Sequence, residues 1–211
     1  MITAVLINYK RDKELKEIVK HLETIKEINE ILVWDNTRDN VFTWGRYIMA
    51  RKAKNDTIYT QDDDCIVNNI TKLIWLYDGK CLVNALQPEQ DKFFAGKETL
   101  VGWGALFDKT WVSVFDKYIN KYGEDYLLYR GADRIFTTLL GTHKTIPADV
   151  KNFPSAYDKD IALYHRKDFF EVAGHAVKRG LYVSVATNGT LVTKENVKKL
   201  KQTGVHYVEI S

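Results

Sequence analysis

Thr57-Ile-Tyr-Thr-Gln61 runs straight into Asp62-Asp63-Asp64, and this stretch decides how the rest of the chain is read. The first five residues are rich in β-branched and aromatic side chains, as a short strand requires. Three adjacent carboxylates repel one another, and burial makes each of them costlier. At the end of an apolar strand they make sense as a grip on a hard divalent cation, Mg²⁺ or Mn²⁺. Such an ion takes one or two carboxylates and fills its shell with phosphate oxygens. It then offsets the charge of a diphosphate as that group leaves. The competing reading is a solvated acidic turn, since polar loops collect aspartate. The strand before the triplet and the apolar Cys65-Ile66-Val67 after it favour the cation.

Upstream, Ile2–Tyr9 is a continuous apolar run that reads as a buried parallel strand. Residues 12–28 place Leu15, Ile18, Val19, Leu22 and Ile25 at spacings of three and four, which predicts an amphipathic helix with Asp12 as its N-cap. Glu30–Trp34 is a second strand, ending in Asp35-Asn36-Thr37. A β-α-β opening with polar loops beyond its strands predicts an open nucleotide-binding α/β sheet. Residues 43–54 read as a helix. Downstream, 69–78 reads as a helix, 81–86 and 101–107 as strands, 109–121 and 133–140 as helices, and 144–147 as a short strand or turn. Further on come a strand at 160–164, a helix at 167–179, a strand at 181–186, a helix at 193–203 and a strand at 205–210.

At 211 residues, the chain suits one large domain, or one domain and a fragment. Aromatic residues at 12% and only three prolines argue against disorder. No apolar run reaches the ~18 residues of a transmembrane helix, and the N-terminus lacks a basic leader, so no signal peptide is expected. Two cysteines, Cys65 and Cys81, are too few for a disulfide framework and are expected as reduced thiols of a cytoplasmic protein. A net charge of +3 gives no reason to expect nucleic acid. Residues 166–211 carry eight Lys/Arg against four Asp/Glu, while the rest is nearly balanced, so the tail differs in character.

The β-α-β opening, the strand ending in Asp35-Asn36 and the run Gln61–Asp64 resemble glycosyltransferases of the GT-A fold, over roughly residues 1–166. The resemblance implies an α/β, GT-A-like sheet flanked by helices. It implies transfer of a sugar from a UDP- or GDP-linked donor to the hydroxyl of a glycan or other acceptor. Carried over, Asp62 and Asp64 would ligate Mn²⁺ or Mg²⁺, with His165 as a neutral third ligand. Asp62 and Asp63 would also contact ribose or sugar. Tyr9, Arg11, Asp35 and Arg46 would line the nucleotide pocket, and Trp103 with Gly104 the donor sugar. Asp133, expected at a helix start, is the candidate base for the acceptor hydroxyl, or a carboxylate that merely complements the helix dipole. Arg130 and Arg134 would bind an anionic group or be solvated. Inversion and retention both stay open.

The tail resembles part of a radical S-adenosylmethionine enzyme, on Phe169-Phe170-Glu171, Gly180–Ser184, Thr187-Asn188-Gly189-Thr190 and Val205–Ser211. That family binds its iron–sulfur cluster with a Cys-x₃-Cys-x₂-Cys run, which the chain lacks, so no cluster is expected. Residues 167–211 also supply too few β-α units to close a barrel. The alternative is that they serve as C-terminal elements of the transferase. Nucleotidyl transfer is a second enzyme class open to this sheet, although Asn8-Tyr9-Lys10-Arg11 lacks the glycines of a phosphate loop. A non-catalytic module with a degenerate site is the third.

Overall fold

A computed structural model describes residues 1–87, 98–153, 169–187 and 193–210. It divides into two compact units, Met1–Phe153 and Pro154–Ser211. The first unit is built on a six-stranded sheet in the order β2-β1-β3-β6-β5-β7. Its strands are β1 (Ile2–Asn8), β2 (Ile28–Asp35), β3 (Thr57–Gln61), β5 (Leu82–Leu86), β6 (Ala105–Asp108) and β7 (His143–Pro147). β1 runs parallel to β2 and β3, and β5 parallel to β7, while β6 is antiparallel to both its neighbours.

The run Ala4–Ile7 of β1 is apolar, as a strand covered on both faces requires. Val5 enters one core with Trp44, Tyr47, Ile58, Phe107, Phe115 and Phe136, while Ala4 and Leu6 enter the other with Ile18, Leu22, Tyr59, Leu73 and Leu106. Helices α1 (Asp12–Leu22), α2 (Trp44–Ala50), α3 (Ile70–Leu76), α4 (Val114–Tyr122) and α5 (Tyr126–Leu140) flank the sheet. A 3₁₀ turn, Lys109–Ser113, leads into α4. The expected α/β sheet with flanking helices is therefore present.

Several local expectations need correction: Asp12, expected as the N-cap, is the first helical residue of α1 and Arg11 takes the cap position. The helix expected to start at Asp133 starts at Tyr126, where the Asp125 side chain accepts from the Leu128 N–H and caps it. Burial of Leu128, Ala132 and Phe136 along one face carries the helix through Gly131. The strand expected from Val101 begins only at Ala105, because Gly104 takes a φ of 98° and turns the chain. A small antiparallel ribbon, β4 (Cys65–Val67) with β8 (Val150–Asn152), was not anticipated, and the Phe153 N–H donates to the Asp64 carbonyl at 2.8 Å beside it.

In the second unit, β9 (Ser184–Thr187) and β10 (Tyr207–Ile210) pair in parallel, with helices α6 (Phe169–Lys178) and α7 (Lys194–Thr203). The strand expected at 160–164 lies outside the described residues. Among the described residues no helix is long and apolar enough to cross a membrane.

Candidate active site

Parallel pairing of β1 with β2 and β3 brings Asn8, Asp35 and Gln61 to one edge of the sheet. β6 enters from that edge, since Ala105 pairs with Thr60. The turn before β6 therefore lies against the acidic triplet. The Asp62 N–H donates to the Gly102 carbonyl at 2.7 Å. A Cβ on Gly102 would sit 2.1 Å from Asp62 Oδ2, so only glycine lets the carboxylate lie there.

Arg46 is the centre of the arrangement. Helical packing of Trp44, Tyr47 and Ala50 buries α2, and Arg46 goes with it, fully buried. Its Nη2 donates to Asp62 Oδ1, its Nε lies 3.3 Å from Asp133 Oδ1, and its Nη1 donates to Thr60 Oγ1. One guanidinium thus joins two carboxylates that are far apart in sequence. Burial alone would lower its pKa, but the charges of Asp133 and Asp62 outweigh burial, and Arg46 stays protonated. Tyr47 donates its hydroxyl to Asp133 Oδ1 at 2.9 Å, and burial keeps that hydroxyl protonated. Burial pushes Asp133 up to about 6, against the pull of Arg46. Among the described residues nothing hydrogen-bonds to Asp133 Oδ2, so one oxygen of this carboxyl is uncommitted.

The triplet divides its work. Asp63 turns back to the loop after β1: its Oδ2 accepts from the Tyr9 N–H at 2.8 Å, and Arg11 Nε lies 3.8 Å from its Oδ1. Burial raises Asp63 to about 6. Asp64 is raised by burial and then by the charge of Asp62. Among the described residues its buried Oδ1 has no hydrogen-bond partner, an expensive state for a carboxylate oxygen. Asp62 is 40% exposed at its side chain. Among the described residues no group of three or more His, Cys, Asp or Glu is gathered to hold a metal ion. The orphaned oxygen of Asp64 and the partly exposed Asp62 nevertheless suit a hard cation that draws its other ligands from phosphate and water.

The remaining expected residues are placed as follows. Arg46 was expected to reach a nucleotide; it is consumed between Asp62 and Asp133, because α2 packs its flank into the core. The Asp35 carboxylate closes an Asx-turn on the Thr37 N–H and hydroxyl and pairs with Arg38, so the expected contact to base or ribose meets a carboxylate engaged locally. Gly104 was expected against the donor sugar, yet a Cβ there would meet Leu73, Tyr59 and Val67 of the core; Gly102 is the glycine beside the carboxylates. Trp103 packs partly buried on that same core. His165 lies outside the described residues. Cys65 and Cys81 are both free thiols, and burial pushes Cys65 well above its ordinary value.

Sequence reasoning did not single out Tyr47, Thr60 or Thr137 for the site. Thr137 Oγ1 accepts from the Thr99 N–H at 3.1 Å, and its proton is shared between the carbonyls of Thr99 (3.1 Å) and Asp133 (3.0 Å). It pins the turn that carries Gly102 to the helix that carries Asp133. The one signal available was Tyr47: a core tyrosine needs a partner for its hydroxyl.

Three solved structures share this architecture at 13% sequence identity. The 4-diphosphocytidyl-2C-methyl-D-erythritol synthase of Anaerococcus prevotii gives a TM-score of 0.52, covering 77% of this chain and 93% of that one. The glycosyltransferase GlyE of Streptococcus pneumoniae gives 0.52, over 98% and 74%. The mannosyltransferase PcManGT of Pyrobaculum calidifontis, in complex with GDP-Man and Mn²⁺, gives 0.51, over 84% and 63%. The fold is the GT-A, nucleotidyltransferase-like α/β sheet. No protein-family model matches the chain. A 46-residue stretch is 46% identical to Fe-coproporphyrin III synthase of Methanosarcina barkeri and a 46-residue stretch is 48% identical to its AdoMet-dependent heme synthase. Each match spans 22% of this chain but only 12% and 13% of those curated relatives, and is compatible with the resemblance of the tail.

Proposed function

We propose that the chain is a metal-dependent glycosyltransferase, moving a sugar from a UDP- or GDP-linked donor to an acceptor hydroxyl. The observation that carries this reading is the acidic triplet at the carboxyl edge of the parallel strands, tied through one buried guanidinium to a second carboxylate with an uncommitted oxygen. Ligands of open α/β sheets bind at that edge. When all are ionised, Asp62, Asp63, Asp64 and Asp133 exceed Arg11 and Arg46 by two negative charges, the charge of one divalent cation.

Asp62 and Asp64 would hold Mn²⁺ or Mg²⁺, with phosphate oxygens and water filling the rest of the shell. The bound cation supplies charge compensation for the diphosphate. Asp63 fixes the backbone at Tyr9 and, with Arg11, shapes the loop against which the nucleotide would lie. Arg46 and Tyr47 hold Asp133 Oδ1 still, which leaves Oδ2 to take the proton of the acceptor hydroxyl in an inverting reaction. A carboxyl raised to about 6 is nearly all ionised at neutral pH and a stronger base than an ordinary one. In a retaining reaction the same oxygen would orient the acceptor. The second unit adds a β-α fragment of the radical-enzyme type, to which no iron–sulfur chemistry is assigned, because the chain holds two cysteines.

The test is thermal melting of the wild type and of Asp64→Asn with Mn²⁺ and UDP or GDP. At a hundredfold excess over Kd, binding stabilises by about 2.7 kcal/mol, or roughly 5–11 °C. Asp64→Asn should abolish that shift. It should also melt a few degrees higher than wild type without metal, because it removes a buried, unsatisfied charge. A wild type unmoved by every Mn²⁺–nucleotide pair sinks the proposal. A shift with CTP accompanied by pyrophosphate release would assign nucleotidyl transfer instead.

A further inference from the structure

Arg130 sits one helical turn before Asp133 on α5, and a spacing of three puts both on one face. Its guanidinium lies 5.3 Å from the centre of the Phe42 ring and 5.8 Å from that of Tyr126. Its Nη1 donates to the Tyr126 hydroxyl oxygen at 3.0 Å. The two rings stand edge to face, 5.9 Å apart at 88°. A cation over a ring face is attracted by the ring's quadrupole. With two rings and a hydrogen bond, the planar fork is held in one orientation.

Phe42 is itself held. Its φ of 49° is a left-handed value that a bulky side chain rarely adopts. Asn36 keeps it there: its amide donates to the Phe42 carbonyl and its Oδ1 accepts from the Val41 N–H, both at 3.1 Å. The Thr43 hydroxyl donates to the Tyr129 carbonyl at 3.3 Å, joining this loop to α5.

The neighbouring arginine shows the contrast. Arg134 spends its fork on Glu98, at 2.8 and 3.1 Å. Among the described residues no carboxylate pairs with Arg130, although it is exposed. A fixed, uncompensated guanidinium presents the geometry that carboxylates and phosphates fit in two-pronged fashion.

We infer that Arg130, set by Phe42 and Tyr126, is the anion subsite of the acceptor: the acceptor carries a carboxylate or phosphate close to the hydroxyl that Asp133 serves. This rests on the transferase reading above. Calorimetric titration tests it with glucuronate against glucose and glycerol 3-phosphate against glycerol, on wild type, Arg130→Gln and Arg130→Lys. Wild type should bind an anionic probe roughly tenfold more tightly than its neutral counterpart. Arg130→Gln should erase the preference, and Arg130→Lys should keep part of it, as a charge without the fork. The better of the two anions identifies carboxylate or phosphate. Equal binding of charged and neutral probes by wild type, or a preference that survives in Arg130→Gln, overturns the subsite. Failure of the Mn²⁺–nucleotide melting shift in wild type is a separate result and overturns the transferase reading instead.

Discussion

Arg46→Met removes the charge that Asp62 and Asp133 share while keeping a long, unbranched stem in the same space. Asp62 is 40% exposed, so water replaces much of what it loses. Asp133 is only 16% exposed and keeps Tyr47 as its one partner. Breaking a buried pair from one side costs about 3–5 kcal/mol, because an uncompensated charge is left behind. For a protein of this size that lowers Tm by roughly 6–20 °C. The pH dependence has a definite sign. Asp133 is raised from its ordinary 3.8 to about 6 in the folded protein, even with Arg46 pulling it down. A carboxyl raised on folding contributes stability that is present below its unfolded pKa and is lost as pH climbs through its folded pKa. In wild type the loss is therefore complete just above pH 6. Without Arg46 the folded value rises further, and the loss continues toward neutral pH and beyond. Urea unfolding followed by tryptophan fluorescence, with buried Trp44 as reporter, reads this directly. The deficit of Arg46→Met should be several-fold larger at about pH 8 than at about pH 5. Unfolding midpoints equal to wild type at the higher pH, or a deficit that acid leaves unchanged, would refute the argument.

Gly102→Ala puts a methyl group into the Asp62 carboxylate; crowding of this kind costs about 1–3 kcal/mol, and the displaced Asp62 should lose the Mn²⁺–nucleotide melting shift altogether. Thr137→Val keeps the shape but strips the hydroxyl from the Thr99 N–H, a loss of about 1–3 kcal/mol in chemical denaturation. Thr137→Ser should recover most of it; equal stabilities of the valine and serine variants would deny Thr137 its pinning role.

Much of the fold is legible from neighbours in the chain. The apolar run Ile2–Tyr9, the three-four spacing from Leu15 to Leu22 and the strand Thr57–Gln61 each declare their element, because side-chain periodicity is a local property, although the helix expected to residue 28 ends at Leu22. The loops at strand ends could be placed for the same reason. Elements whose boundaries depend on a partner were misread. Tyr126–Arg130 becomes helix only because Leu128 and Phe136 find a core, and Val150–Asn152 becomes strand only because Cys65–Val67 lies beside it.

The candidate site divides along the same line. Order along the chain shows Asp62, Asp63 and Asp64 as a carboxylate cluster, whereas Asp133 is singled out only by the resemblance, at a helix start that the structure moves to Tyr126. Their partners follow from strand order. Inserting β6 antiparallel beside β3 brings Gly102 against Asp62, and packing α2 and α5 on one face of the sheet threads Arg46 between Asp62 and Asp133. Electrostatic pairing acts through space, and the spacing of residues along a chain carries no record of it until the sheet is assembled.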